Sequence, residues 1–261
     1  MKMIDIGVNL SNKRLYSDAE DIINRAQQAG VEKLIVTGTS LRHSLIAIEL
    51  CDRFPVQLFS TCGIHPHDAK DWNSQTLSEL SELVLQDCVR AVGETGLDFN
   101  RNFSPKQQQI SVFQQQLELA IDCNKPVFLH QRDAFDTFHS ILREYRDRLP
   151  AVVVHCFTDN KKALFSLLDQ DCHIGVTGWI CDERRGQELQ QLVKNIPSTR
   201  LMLETDAPYL LPRDLSPKPA SNLNLPEYLP HILQAVARHQ NKAAEQLAEE
   251  VFLTTQQFFS L

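Results

Sequence analysis

Long apolar runs are missing from this 261-residue chain. None approaches the roughly 18 residues that a membrane-crossing helix needs. The opening Met1-Lys2-Met3-Ile4-Asp5-Ile6 lacks the apolar stretch of a secretory signal and has an acid inside it. The expected location is therefore the cytoplasm. Paired cysteines are missing as well. The seven cysteines (51, 62, 88, 123, 156, 172 and 181) form no Cys-x-x-Cys motif, which removes zinc-ribbon and thioredoxin-like readings. Cys156 follows His155, but neighbours on a strand point to opposite faces, so the two do not make a nucleophile and its base. Positive charge is scarce. Twenty-six Lys and Arg against 33 Asp and Glu give a net charge of −7, which excludes a protein that coats nucleic acid through a broad basic surface. An enzyme that grips a few phosphates at a chain end stays open. No internal repeat, low-complexity tract or linker interrupts the sequence.

Strand-like apolar runs begin near Ile4, Lys33, Leu58, Val89, Pro126, Ala151, His173 and Arg200, with helical patterns between them. Eight strand–helix units in about 250 residues predict a (β/α)8 TIM barrel, α/β in class, as one domain over residues 1–261. A doubly wound open sheet is the alternative, but it concentrates function near one switch point. Ser17 and Glu20 fit a capping box before the first helix, and Gly30 fits its end. Ser104 fits a cap ahead of Pro105. The stripe Ala244, Leu247, Ala248, Val251 and Phe252 predicts a final helix packed on the outside of the barrel.

Four metal-capable side chains each close a different strand-like run: Glu94 after Val89–Gly93, His130 after Pro126–Leu129, His155 after Ala151–Val154, and Asp206 after Leu201–Thr205. Parallel strands that feed helices bring their carboxyl ends to one face, so such ligands converge on one point. Each residue alone has a plainer explanation, such as a solvated acid at a strand end, a core histidine or a turn-starting carboxylate. Together they point to a divalent-metal hydrolase site. Alternation sends Glu204 to the same face as Asp206 but deeper, where it would brace a ligating histidine. Asp206 is read as a ligand or as the general base. His65, in Gly63-Ile64-His65-Pro66-His67, is read as a substrate contact. Arg101, Arg132, Arg184, Arg185 and Arg213 fall in loops on the same face, where guanidinium forks suit phosphate oxygens.

These motifs, in this order, resemble the TatD family of metal-dependent nucleases almost end to end. The resemblance is carried by Asp5-Ile6-Gly7-Val8-Asn9-Leu10, Gly63-Ile64-His65-Pro66-His67-Asp68, Gly93-Glu94-Thr95-Gly96-Leu97-Asp98-Phe99, His155-Cys156-Phe157, Gly178-Trp179 through Gly186, and Glu204-Thr205-Asp206-Ala207-Pro208-Tyr209-Leu210. It implies an amidohydrolase-type barrel and magnesium-dependent 3′→5′ exonuclease action on single-stranded DNA and RNA. It also implies metal binding by Glu94, His130 and His155, with Asp206 a further ligand. The sequence departs from the family where most members have His-x-His after the first strand's aspartate; here Gly7 and Asn9 stand in those places. Two fewer imidazoles speak against a tight binuclear zinc centre and suit a loosely held Mg2+, with Zn2+ and Mn2+ as alternatives. The loop Asn222–Pro226 lacks an arginine and an acid often found there, and Asp159 replaces a common glycine.

The expected activity is removal of nucleotides from free 3′ ends of single-stranded DNA or RNA by a monomer. Phe99, Trp179 and Tyr209 are candidates to stack on bases. Two other readings stay open on sequence alone: a barrel hydrolase of a small amide or ester, and a non-catalytic relative.

Overall fold

The computed structural model describes residues 1–261. Eight parallel strands form one sheet in sequence order: β1 (Met3–Val8), β2 (Val31–Val36), β3 (Leu58–Cys62), β4 (Val89–Asp98), β5 (Val127–Arg132), β6 (Val152–Val154), β7 (His173–Val176) and β8 (Leu201–Leu203). A parallel bridge between Val8 and Ala207 joins the last strand to the first, reinforced by hydrogen bonds from Asp206 N to Gly7 O and from Asn9 N to Ala207 O. The sheet thus closes, and with α1 (Ala19–Gln28), α2 (Leu41–Arg53), α3 (Ser74–Leu83), α4 (Lys106–Asp122), α5 (Phe135–Tyr145), α6 (Lys161–Asp169), α7 (Gln187–Leu192) and α8 (Leu229–Gln240) it makes the expected (β/α)8 barrel. A ninth helix, α9 (Ala244–Phe259), follows. No helix is long and apolar enough to cross a membrane.

Strand alternation sorts side chains into two cores. Met3, Val127, Leu129, Val152, Val154, Leu201 and Leu203 face outward and pack under the helices. Ile4, Ile6, Ile35, Ala91, Phe128, Val153 and Met202 face inward and fill the barrel. The end of α9 differs from expectation. Leu247, Ala248 and Val251 do pack in the outer core. Phe258 and Phe259, however, join the inner cluster, with Phe252 against it, so the helix end closes the floor of the barrel. Open barrels expose their lower layer to water, and two phenyl rings there remove that surface.

Two expected caps do not form. A 3-10 turn (Tyr16–Asp18) leads into α1, and its N-cap Asp18 makes no side-chain cap bond, so Ser17 and Glu20 make no capping box. Ser104 does not cap α4, whose N-cap is Pro105. Its hydroxyl instead donates to His67 O at 2.7 Å and accepts from Lys70 N at 3.0 Å, tying the loop after β3 to the loop after β4. Gly30 does follow α1, in the left-handed region at φ +88°.

Candidate metal centre at the barrel mouth

The strand periodicity that fills the barrel also builds its mouth. On β5, β6 and β8 the residue two places beyond an inward apolar side chain is polar: His130 above Phe128, His155 above Val153, and Glu204 then Asp206 above Met202. Phe128 stacks beneath the His155 ring at 4.6 Å. Glu94 is out of phase with Ala91. The pairing of β4 with β5 shifts between Val92 and Thr95, which re-aims the strand and turns Glu94 inward. Gly96, at φ +143°, allows this close passage, since a Cβ there would strike the His130 carbonyl oxygen.

One carboxylate oxygen gathers three imidazoles. Glu94 Oε1 lies 2.8 Å from His155 Nε2, 3.0 Å from His130 Nδ1 and 3.3 Å from His65 Nε2. His65, Glu94 and His130 offer ligand atoms that all lie within 4.8 Å of one another. His155 reaches the group through Glu94, and its Nδ1 lies 3.3 Å from Glu204 Oε2. Glu204 is fully buried and also accepts a hydrogen bond from Cys156 N, which fixes its depth and orientation. Beside them, Asp98 Oδ2 lies 2.7 Å from His67 Nε2 and 3.7 Å from His130 Nε2.

The electrostatics favour added positive charge. Burial alone would raise the Glu94 carboxyl, but His155, His65 and His130 hold it well below the usual carboxylate range. Burial alone would lower His155, but Glu94 and Glu204 push it well above an ordinary imidazole. His130 is raised against its own burial by Asp98 and Glu94. Burial, only partly opposed by Glu94, lowers His65. Both shifts mark a place where positive charge beside Glu94 is favoured, the charge that a divalent cation would supply. His130 Nε2 is buried with no hydrogen-bond partner. A set of imidazole nitrogens and carboxylate oxygens with one unpaired nitrogen fits a divalent ion.

Asp206 stands on the same wall. Asn9 Nδ2 donates to its Oδ1 at 3.0 Å, and its backbone sits at φ +56°. Burial raises its carboxyl to about 7; Glu94 and Glu204 add to this, while His155 opposes it. Asp206 lies outside the group of three whose ligand atoms are mutually within 4.8 Å. Gly7 has a physical counterpart. A Cβ there would meet Glu204 Oε2 at 2.5 Å, so the room for a side chain at position 7 is taken by the Glu204 carboxylate. At position 9, an amide that orients Asp206 stands in place of an imidazole.

A cavity of about 860 Å³ opens above these groups, and Asn9, His65, His67, Asp98, Arg101 and Arg132 line it along with the residues already described. Arg184 and Arg185 do not line it. Asp182 and Glu183 draw them in: Arg185 Nε bonds Asp182 Oδ2 at 2.9 Å, and Arg184 Nε lies 3.6 Å from Asp182 Oδ1. The Arg185 guanidinium lies 4.3 Å over the Trp179 ring, which does line the cavity. Arg213 is paired with Glu183. Of the expected stacking residues, Trp179 and Tyr209 line the cavity and Phe99 does not; Lys106 lies over the Phe99 ring instead. Phe103, 57% exposed and edge-on to His67, takes the place proposed for Phe99. Sequence reading left Asp98 and His67 without a role. Asp98 lies four residues beyond Glu94 on one strand, so alternation places both on the inward face. In the loop that lacks the family's arginine and acid, Asn224 is buried and donates to the Thr205 carbonyl at 2.7 Å, a structural use of that segment.

The model of the TatD related DNase family matches residues 4–260. The chain belongs to the TatD family. A relative from Pectobacterium carotovorum subsp. carotovorum, named 3′-5′ ssDNA/RNA exonuclease TatD, is 47% identical over 259 residues, covering 99% of this chain and all of that one. One of the same name from Escherichia fergusonii is 48% identical, covering 94% of each. Among solved structures, YJJV, a TatD homolog from Escherichia coli K12, is 27% identical with a TM-score of 0.90, covering 99% of this chain and 98% of that one. A TatD family hydrolase from Entamoeba histolytica is 25% identical with a TM-score of 0.91, at the same coverage. The family match and these relatives support a hydrolase acting on phosphodiester bonds.

Proposed function

We propose that this chain is a metal-dependent 3′→5′ exonuclease of single-stranded DNA and RNA, with Mg2+ as its working ion and Glu94, His130, His155 and His65 as the side chains that hold it. The single observation that carries this reading is the meeting of three imidazoles within 3.3 Å of one buried carboxylate oxygen, at the floor of an open cavity. Relatives named as exonucleases, matched over 94% or more of their length, supply the substrate class. When bound, the divalent ion supplies charge against the phosphoryl oxygen and makes water a better nucleophile.

The chain's own residues do the rest. Glu204 holds His155 Nδ1, so the other ring nitrogen, Nε2, faces Glu94 and the mouth. Asp206, poised at about 7 and steadied by Asn9, accepts a proton from the attacking water. Arg101 and Arg132 sit on the cavity wall, where they meet phosphate oxygens on either side of the cleaved bond. Trp179, Tyr209 and Phe103 offer ring faces to unpaired bases, which every base can use regardless of sequence. Arg184 and Arg185 act indirectly, by bracing the turn that carries Trp179. The net charge of −7 fits a grip limited to the end of a strand. We take the enzyme as a cytoplasmic monomer of one domain.

Digestion of 5′-labelled and 3′-labelled single strands, with and without Mg2+, tests the reading. Loss of the 3′ label as mononucleotide, and a ladder shortening from the 3′ end on the 5′-labelled strand, both only with metal, is the expected result. Unchanged strands, or release from the 5′ end, would reject it.

A further inference from the structure

A second group of ligand-type side chains lies apart from the mouth. Cys181, Asp214 and His231 offer ligand atoms that all lie within 4.8 Å of one another. None of the three lines the mouth cavity. They come from three separate segments: Cys181 ends the short 3-10 turn Gly178–Cys181 after β7, Asp214 belongs to the loop after β8, and His231 lies in the first turn of α8. Cys181 is 4% exposed, and His231 Nε2 lies 2.6 Å from Asp214 Oδ1.

The structure assigns these three side chains to a second cation site, a zinc site of one thiolate, one imidazole and one carboxylate, with water in the fourth position. The donor set decides the ion. A thiolate is a poor ligand for Mg2+ and a good one for Zn2+. A tetrahedral zinc with bonds of about 2.0–2.3 Å spaces its donors roughly 3.3–3.6 Å apart, so the group needs to adjust by about an ångström. Without an ion, burial and then the Asp214 charge push the Cys181 thiol well above the ordinary thiol range, opposed by Arg238, so it stays protonated. Binding expels that proton: the S–H bond breaks, the sulfur pair goes to zinc, and one proton leaves to solvent for each ion bound. The hydrogen bond between His231 Nε2 and Asp214 Oδ1 gives way to the ion as the ring hydrogen moves from Nε2 to Nδ1, so no further proton is released. Such a site ties together three pieces: the turn carrying Trp179, the long loop between β8 and α8, and α8 itself. It would stiffen one wall of the substrate cavity from behind. The assignment is independent of the nuclease reading, because none of its ligands is used there.

Cobalt(II) is the probe, since a thiolate bound to it absorbs in the near ultraviolet and nitrogen or oxygen ligands do not. The full chain, stripped with chelator, is titrated with Co2+. A saturable thiolate-to-cobalt band is expected, displaced by Zn2+. It should persist in Glu94→Gln and in Cys156→Ser, whose thiol lies at the mouth, and vanish in Cys181→Ser. If Cys181→Ser does not fold, His231→Ala and Asp214→Asn carry the test at less buried positions, each expected to weaken Co2+ binding by about tenfold or more. Absence of the band in the parent, its survival in Cys181→Ser, its loss in Cys156→Ser, or unchanged Co2+ affinity in both His231→Ala and Asp214→Asn would overturn the assignment.

Discussion

The two ends of the barrel are built from the same strands and do opposite work. At the floor, inward positions are Ile4, Ile6, Ile35, Ala91, Phe128, Val153 and Met202, sealed by Phe258 and Phe259. Two residues further along β5, β6 and β8, the inward positions are His130, His155 and Glu204. The floor gains stability by removing apolar surface from water. The mouth gathers charges in low dielectric, an arrangement that favours function over stability. Histidine shows the contrast most directly. At the mouth His155 is raised well above an ordinary imidazole by two carboxylates. At the floor His173, edge-on to Phe258, is lowered to about 4 by burial and by Arg200, and its Nδ1 donates to the Val152 carbonyl.

The largest effect should come from the mouth. Glu94→Gln keeps the shape but loses the charge that gathers three imidazoles, and nuclease activity should fall on the order of 10³-fold. Its far-ultraviolet circular dichroism should match the parent. Chelation of the parent should give a loss of the same size, restored by Mg2+. The floor should answer in reverse. Phe259→Ala is expected to lower unfolding free energy by about 3–5 kcal/mol in urea titrations while leaving activity per folded molecule unchanged. A floor variant that loses catalysis without losing stability would dissolve the contrast.

Most of the barrel is legible in the sequence because a buried parallel strand is written as a short apolar run, and the pitch of such runs counts the units. The ligand-type tips of β5, β6 and β8 are legible for the same reason, since period two carries the inward face past the apolar stretch. What escapes is set by contacts distant in sequence. The pairing shift that turns Glu94 inward depends on β5. The seating of Phe258 and Phe259 depends on the whole lower layer. Ser104 is drawn from its cap role by His67, 37 residues away. Arg184 and Arg185 look free in the sequence, but Asp182 is near enough to hold them.

Two smaller effects sharpen the comparison. His173 is neutral in the folded protein down to about pH 4, whereas the unfolded chain takes its proton near 6.5. Its contribution is therefore complete above pH 6.5 and lost as pH falls towards 4. Urea midpoints measured across that window should drop more steeply for the parent than for His173→Gln; parallel curves would show that the floor histidine is not the sensor. Smallest is the rim. Arg101→Ala or Arg132→Ala should each raise KM for single-stranded DNA by about fivefold, the equivalent of roughly 1 kcal/mol for one exposed guanidinium, with little change in kcat. Steady-state kinetics at low and moderate salt would read this, and the difference should shrink as salt rises.

The most direct measurement is calorimetric titration of Mn2+ into chelator-stripped parent protein and Glu94→Gln, since a hard ion avoids the thiolate site. Saturable binding in the parent that disappears in Glu94→Gln is the predicted result. No saturable binding in the parent, or equal binding in both, would contradict a metal centre assembled around Glu94.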